Sequence, residues 1–101
     1  MTPELFNTIT QWQDQTFPTA SPLSTVLHLE EEVRELKEAT QLNILDKHEI
    51  ADCFLLLIGH CNKWNLKYED VVNLIGEKFQ IVQHRKYSLT DEKGYQKHIK
   101  E

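Results

Sequence analysis

Acidic side chains are concentrated in two short segments, HLEEEVRELKEA at residues 28–39 and HEIADCFLLLI at residues 48–58. Glu32 and Glu35 are three residues apart in the first segment, and Glu49 and Asp52 have the same spacing in the second. On an α-helix this spacing places each pair about 60° apart around the axis, so both members project from one side. Unpaired carboxylates are costly to bury, and like charges raise each other's pKa values. Two such pairs on facing helices would hold a cation, and oxygen ligands suit Mg²⁺ or Mn²⁺ rather than zinc.

Both pairs border apolar sequence, but each has a second interpretation when taken alone. Glu32 lies on the shoulder of an apolar helical stripe, and the second pair directly precedes the apolar run 53–58. Arg34 and Lys37 could pair with neighbouring glutamates on a solvated helix. Acidic residues near a helix N-terminus also stabilise the helix dipole. The pattern by itself therefore leaves a metal site and two ordinary charged helices as alternatives.

The elements that must position these residues are helical, because turn-forming residues are scarce after residue 22. We predict four helices, at about Pro3–Gln15, from Pro22 to a loosened segment at 40–45, at about Lys47–Trp64, and at about Tyr68–Tyr87. Thr2, Ser21 and Asp46 are the predicted N-caps. The fold class predicted is all-α, a four-helix bundle in which the run 53–58 is buried on every side. Residues 1–101 form one domain in this prediction, with a polar and flexible tail at about 88–101.

Length and composition set further limits. The chain has 101 residues, of which 27% are charged, and a net charge of −5. This charge argues against a nucleic-acid polymer as the partner, because such proteins depend on basic patches. We expect no membrane association, since no apolar run approaches a membrane span and no targeting signal is visible. We expect a cytoplasmic protein with two reduced cysteines, Cys53 and Cys61, acting as small apolar residues.

The two acidic segments also resemble a known family. EEVRE at residues 31–35, followed after thirteen residues by EIAD at 49–52, resembles the EExxE…ExxD signature of the MazG-like superfamily of all-α nucleoside triphosphate pyrophosphohydrolases. The blocks TFPTASPLSTVLHLEEEVRELKEA, EIADCFLLLIGHCNKWNL and EKFQIVQHRKY with DEKGYQKHIK resemble the dATP/dGTP diphosphohydrolase-type branch of phages and bacteria. The resemblance extends over about residues 12–100.

This resemblance implies hydrolysis of a nucleoside triphosphate to the monophosphate and pyrophosphate, with Mg²⁺, or alternatively Mn²⁺, as cofactor. By position it implies that Glu32, Glu35, Glu49 and Asp52 are the metal ligands. Glu31 would orient and deprotonate the attacking water, so Glu31, Glu32 and Glu35 are the expected catalytic residues. The family likeness also implies a MazG-like fold that forms a homodimer or a homotetramer.

A triphosphate bound to a metal usually needs protein cations as well. Lys78 and Arg85 are seven residues apart, which would place them on one face of the fourth helix. We expect these two residues and Lys86 to contact the phosphates. His98 in the tail matches a basic position of the related branch and is a further candidate.

An aromatic pair could hold the base. Trp12 and Phe17 flank the loop that precedes the acidic helix, so Trp12 is a candidate for stacking on the base, although packing is the commoner role of such residues. The chain departs from the related branch at Val82 and Tyr87, where relatives often carry Asn and Trp. These departures bear on the choice of nucleotide.

Two other functions are compatible with parts of this sequence. A phosphoribosyl-ATP pyrophosphohydrolase would share the fold and the metal, since its substrate is also an adenine triphosphate. A non-catalytic helical interaction module would keep the fold but not need the four carboxylates. The histidines and cysteines show no familiar zinc spacing, and no Gly-rich phosphate loop is present.

Overall fold

The computed structural model describes residues 1–100 and contains four α-helices in that range. They are Pro3–Thr16 (α1), Pro22–Gln41 (α2), Lys47–Lys63 (α3) and Tyr68–Gln83 (α4). The only extended pairing in the described part of the chain is an isolated antiparallel bridge between Tyr87 and His98. The predicted all-α class is therefore confirmed. None of the helices described is long and apolar enough to span a membrane.

The first three helices begin where the sequence predicts. Thr2, Ser21 and Asp46 each accept a hydrogen bond from the backbone N–H three residues further on, at 3.0–3.1 Å. Each cap satisfies one of the N–H groups that the first turn leaves without a partner. Asp46 matters most for the site, because its cap fixes the first turn of α3.

The C-terminal ends of α2 and α3 have the same backbone structure. An asparagine with positive φ follows each helix, Asn43 at 57° and Asn65 at 60°. The next N–H donates to a carbonyl five residues earlier, at 2.9 Å after α2 and 3.0 Å after α3. This is the Schellman arrangement, and asparagine tolerates its left-handed position better than most residues. The segment 40–45 is therefore a defined helix end and not the loosened stretch that the sequence suggested.

Residues Met1–Tyr68 form one compact unit, and a second unit begins at Glu69. In the first unit α3 packs against both α1 and α2. Phe6 and Ile58 are its buried apolar side chains, at 3% and 9% exposure. The prediction that the run 53–58 is buried on every side is wrong for the single chain, because Phe54 is 62% and Leu57 46% exposed. Two neighbouring helices cannot cover all sides of a third.

The helix of the second unit is shorter than predicted and ends at Gln83 instead of Tyr87. His84 and Arg85 donate their N–H groups to carbonyls three residues earlier, at 3.2 and 3.3 Å, and so close the last turn. The chain then folds back on itself, with Ser88 N–H bonded to Lys97 O at 2.8 Å. Since Arg85 lies beyond the helix, the seven-residue spacing no longer places it on one helical face with Lys78.

The fold-back of the second unit turns at Asp91. The Asp91 side chain accepts hydrogen bonds from the backbone N–H groups of Lys93 and Tyr95, at 2.9 and 3.3 Å. Gly94 has φ of 89° in this turn, a conformation that favours glycine. Backbone hydrogen bonds thus connect parts of the segment after position 87 to one another, and the N–H of Ile99 donates to Lys86 O.

Candidate active site

Three carboxylates from two helices converge in the first unit. Glu32 of α2 and Glu49 and Asp52 of α3 each present an oxygen, and these oxygens lie within 4.8 Å of one another. Glu49 is buried at 9% exposure, and the side chain of Glu32 is 17% exposed. Asp52 lies at the solvent-exposed edge. The convergence predicted from the spacing is therefore present for these three residues.

The carboxyl groups of this cluster shift one another's pKa values. A hydrogen bond with Glu32, together with desolvation and nearby negative charge, raises the pKa of Glu49 to about 7. The same hydrogen bond from Glu49 is the main influence that lowers the pKa of Glu32. The hydrogen bond therefore favours a proton on Glu49 and a negative charge on Glu32, and desolvation adds to this preference at Glu49.

The cluster has the properties of a cation site. Glu49 Oε1 is buried and finds no hydrogen-bond partner among residues 1–100. A buried acceptor without a partner is unfavourable, and a cation would satisfy it while removing the repulsion between carboxylates. The donor set consists of oxygens alone, as Mg²⁺ and Mn²⁺ prefer. The residues present therefore fit a hard divalent ion.

Glu35 and Glu31 stand in different relations to this cluster. Glu35 lies outside the group of three but hydrogen-bonds to Glu32 and Glu49, and the charge of Glu32 is the main cause that raises the pKa of Glu35. Glu31 is exposed and lines a surface depression with Arg34, to which none of the three converging carboxylates contributes. The roles expected for both stay predictions.

His28 adjoins the cluster on the α2 side. Its Nε2 lies 3.1 Å from Glu32 Oε1, and its side chain is 57% exposed. The pair that forms is the ordinary i,i+4 pair, which the spacing of His28 and Glu32 could have indicated.

A cavity of about 490 Å³ connects the carboxylates with the aromatic residues of α1. Its lining includes the aromatic residues Trp12 and Phe17 together with Glu32 and Asp52. The rings of Trp12 and Phe17 meet edge to face, with centroids 5.6 Å apart and an interplanar angle of 86°. Trp12 remains 57% exposed, so a ligand could reach its ring. The cavity also contains Gln13, which the sequence gave no signal to select.

The remaining candidates lie in the second unit. Lys78 is exposed on α4, and Arg85 is partly buried just after the helix. Lys86 accepts a backbone hydrogen bond from the tail, and His98 stacks obliquely near Tyr87 at 6.4 Å between centroids. Their proposed phosphate contacts stay predictions.

The two cysteines are not bonded to each other. Desolvation raises the pKa of both thiols, and at Cys53 the charges of Glu49, Glu32 and Asp52 add to the effect. A raised pKa disfavours the reactive thiolate, in keeping with the expected role as small apolar side chains.

The proton on Glu49 predicts an unusual pH dependence for the metal-free protein. Between pH 4.5 and about 7, folded Glu49 binds a proton that the unfolded chain has lost. The unfolding free energy must therefore fall as pH rises through this window, and the raised pKa of Glu35 acts in the same direction. The lowered pKa of Glu32 changes the unfolding free energy only below pH 4.5. We expect urea unfolding in EDTA to show this decline.

Two variants test this assignment. Glu49→Gln should remove most of the decline, and Glu38→Gln, an exposed neutralisation on α2, should retain it. Added Mg²⁺ should reverse the trend, since a cation requires deprotonated ligands. A flat metal-free profile in the unmodified protein would contradict the proton on Glu49.

Comparisons with known proteins identify the family of the chain and a solved structure similar to it. The sequence profile described as dATP/dGTP pyrophosphohydrolase matches residues 5–101. Among solved structures, the chain is similar to a cyanophage S-2L MazG-like pyrophosphohydrolase bound to dGDP and three catalytic Mn²⁺ ions per active site. The identity is 27%, the TM-score 0.77, and the match covers 99% of each chain. A search of curated proteins finds no match.

The family profile spans nearly the whole chain, and the structural likeness extends over both units. The family resemblance carried by EEVRE and EIAD is therefore confirmed. The chain belongs to the dATP/dGTP pyrophosphohydrolase family, and it is a nucleotide pyrophosphohydrolase with a MazG-like structural relative.

Proposed function

We propose that this enzyme hydrolyses purine deoxynucleoside triphosphates to the monophosphate and pyrophosphate in a reaction that depends on Mg²⁺ or Mn²⁺. One observation carries the proposal: Glu32 and Asp52 open onto the same cavity as Trp12 and Phe17. Carboxylates for a cation and an aromatic pair for a base thus share one space. The purine preference is supported by the family description and by the dGDP held by the cyanophage relative.

In this proposal Glu32, Glu49 and Asp52 hold the cation, and Glu35 completes the set through its contacts with Glu32 and Glu49. The ion would neutralise phosphate charge and activate water near neutral pH. We assign acceptance of the water's proton to Glu31, whose charge also raises the pKa of Glu35. His28 keeps the Glu32 carboxylate oriented through their 3.1 Å contact.

The base would lie against Trp12, with the edge of Phe17 supporting the indole ring. An aromatic ring can stack on any base, so this contact would contribute to affinity more than to selectivity between bases. The phosphates would extend from the base toward Glu32 and Asp52, which also line the cavity.

The decisive test is pyrophosphate release from each dNTP and NTP, and from phosphoribosyl-ATP, with Mg²⁺, with Mn²⁺ and with EDTA. We expect metal-dependent release that is fastest with dATP or dGTP. A preference for phosphoribosyl-ATP would assign the enzyme to the alternative reaction. Release that persists in EDTA would refute the role of the carboxylate cluster. The comparisons with hydrolases leave no support for a purely structural module.

Lys78 is the phosphate contact that we propose first, because it is an exposed cation on α4. Replacing it with alanine should raise KM by roughly tenfold and leave kcat within about twofold, as expected when an interaction made equally in ground and transition states is lost. Steady-state kinetics on the preferred nucleotide measures both. The matched control is Lys93→Ala in the Asp91 turn. Equal kinetic constants for Lys78→Ala and the unmodified enzyme would remove Lys78 from the site.

We further propose that the enzyme is a homodimer or homotetramer. The supporting observation is the side of α3 that carries Phe54 and Leu57, which are 62% and 46% exposed. Large exposed apolar patches mark interfaces in soluble proteins. Light scattering coupled to size exclusion should give twice or four times the chain mass of 11.9 kDa. A monomer at micromolar concentration would refute this proposal.

A further inference from the structure

Two cavities of the first unit adjoin the side chain of Gln13. One is the cavity of about 490 Å³ that holds Trp12 and the carboxylates. The other has a volume of about 420 Å³ and is lined by the loop after α1 and by Ser24, Thr25 and Lys63. Gln13 contributes to the lining of both. Phe17, His28 and Leu56 also line both, so the Gln13 amide is one of four side chains at the boundary between the cavities.

Two contacts with α3 fix that amide. Gln13 Nε2 donates a hydrogen bond of 3.0 Å to the carbonyl of Leu55. The amide also lies against the backbone of Gly59, since a Cβ placed there would be 3.3 Å from both Nε2 and Oε1 of Gln13. The three atoms nearest to such a Cβ all belong to Gln13. Gly59 is buried, and a side chain at this position would displace the amide by a few tenths of an ångström.

The bond to Leu55 also decides which way the amide faces. Because Nε2 is the donor, Oε1 is the other end, and it is buried without a hydrogen-bond partner among the described residues. A buried polar atom without a hydrogen-bond partner destabilises the folded state, so its position calls for an explanation. The amide is thus held by α3 at a cost, in the wall of a cavity that a ligand would enter.

We infer that Gln13 is a positioning residue for the nucleobase: clamped between Leu55 and Gly59, it sets the distance from the Trp12 ring to α3. Trp12 is its neighbour on α1, and Leu55 and Leu56 form the α3 side of the same cavity. Loss of the clamp lets the wall move and loosens the base without touching the carboxylates. This inference rests on the proposed function, in which the base occupies that cavity.

The helices keep a second link when the clamp is removed. Asp14 accepts hydrogen bonds from Asn62 at 2.8 Å and from Lys63 at 3.3 Å. Variants of Gln13 should therefore fold, with α1 still attached to α3 but the cavity wall released. Thermal unfolding followed by circular dichroism checks that the variants fold. Gln13→Met is a second variant, which keeps the length of the side chain but removes its hydrogen-bond donor.

The test is a double-mutant cycle between Gln13→Ala and Gly59→Ala. Gln13→Ala should raise KM for the preferred purine dNTP by roughly fivefold and leave kcat within about twofold, the pattern of lost ground-state binding. Gly59→Ala should raise KM less, because the amide only has to give way by a few tenths of an ångström. In the Gln13→Ala background, Gly59→Ala should add nothing, since the atoms it displaces are gone.

The control is Gly76→Ala on α4, where an added Cβ meets nothing within 4 Å. It should leave both kinetic constants unchanged. Binding of a purine dNTP analogue with a methylene group in place of the α,β-bridging oxygen, followed by tryptophan fluorescence, gives a readout independent of turnover. The Kd of the analogue should change across the double-mutant cycle in the same pattern as KM.

Two results overturn the inference in an enzyme that is active and metal-dependent. One is an unchanged KM and analogue Kd in folded Gln13→Ala and Gln13→Met. The other is a double variant whose KM increase is the product of the two single increases. If the unmodified protein neither hydrolyses purine dNTPs with metal nor binds the analogue, the proposed function itself has failed. The two failures are thus separable.

Discussion

Asp52→Asn is expected to abolish metal-dependent pyrophosphate release, with a loss on the order of 10³-fold or more in kcat/KM. Asp52 contributes one of the three oxygens that lie within 4.8 Å of each other, and it also lines the cavity proposed for the nucleotide. The amide keeps the shape of the side chain and one oxygen but removes the negative charge that balances the cation. Helicity should be unaffected, because the Asp52 side chain is exposed and does not cap α3.

The measurement is pyrophosphate release together with Mn²⁺ binding by calorimetry, on protein whose circular dichroism matches the unmodified enzyme. Glu30→Gln is the matched control, since it neutralises an exposed carboxylate on α2 outside the cluster. Glu35→Gln should resemble Asp52→Asn if Glu35 is the fourth ligand. Near-normal turnover in Asp52→Asn would show that the cluster is not the catalytic metal site.

Trp12→Ala should have the second largest effect, an increase in KM of roughly tenfold or more for purine nucleotides, because stacking of a base on an aromatic ring contributes about 1–3 kcal/mol. The indole is 57% exposed and lines the cavity shared with Glu32 and Asp52. Trp12→Phe should restore most of the affinity, since a smaller ring still offers a stacking face.

Trp64 provides the comparison for this experiment. It is similarly exposed, at 61%, but its indole N–H bonds to His60 and it does not line the cavity. Trp64→Phe should therefore leave KM unchanged. A KM for Trp12→Ala within twofold of the unmodified value would place the base elsewhere.

The acidic pairs show what residue spacing can and cannot predict about the site. The equal spacing of Glu32 with Glu35 and of Glu49 with Asp52 predicted two carboxylate pairs on facing helices, and three of the four side chains do converge. The fourth, Glu35, reaches the cluster only through hydrogen bonds to its neighbours. Helical angles fix which side a residue occupies on its own helix, but how α2 crosses α3 decides which oxygens meet.

The same limit explains the errors in burial. The apolar run 53–58 indicated a helix covered on every side, because apolar residues stand all round it. Sequence cannot say whether the cover comes from this chain or from another, and in the single chain Phe54 and Leu57 remain open to solvent. The fourth helix was predicted too long for a related reason. Nothing in the local pattern near Gln83 reveals that the chain turns there to pair with its own tail.

The sequence by itself determined the all-α class, the N-caps of three helices, the acidic signature and the family, since each of these depends on local spacing and residue type. Only the tertiary structure decided that Glu49 is the buried member that carries the proton, and that Gln13 is clamped on Gly59. The physical reason is the same in both cases. Burial and contact between helices depend on how they pack in three dimensions, and residues 42 positions apart, such as Gln13 and Leu55, leave no periodic trace of their meeting.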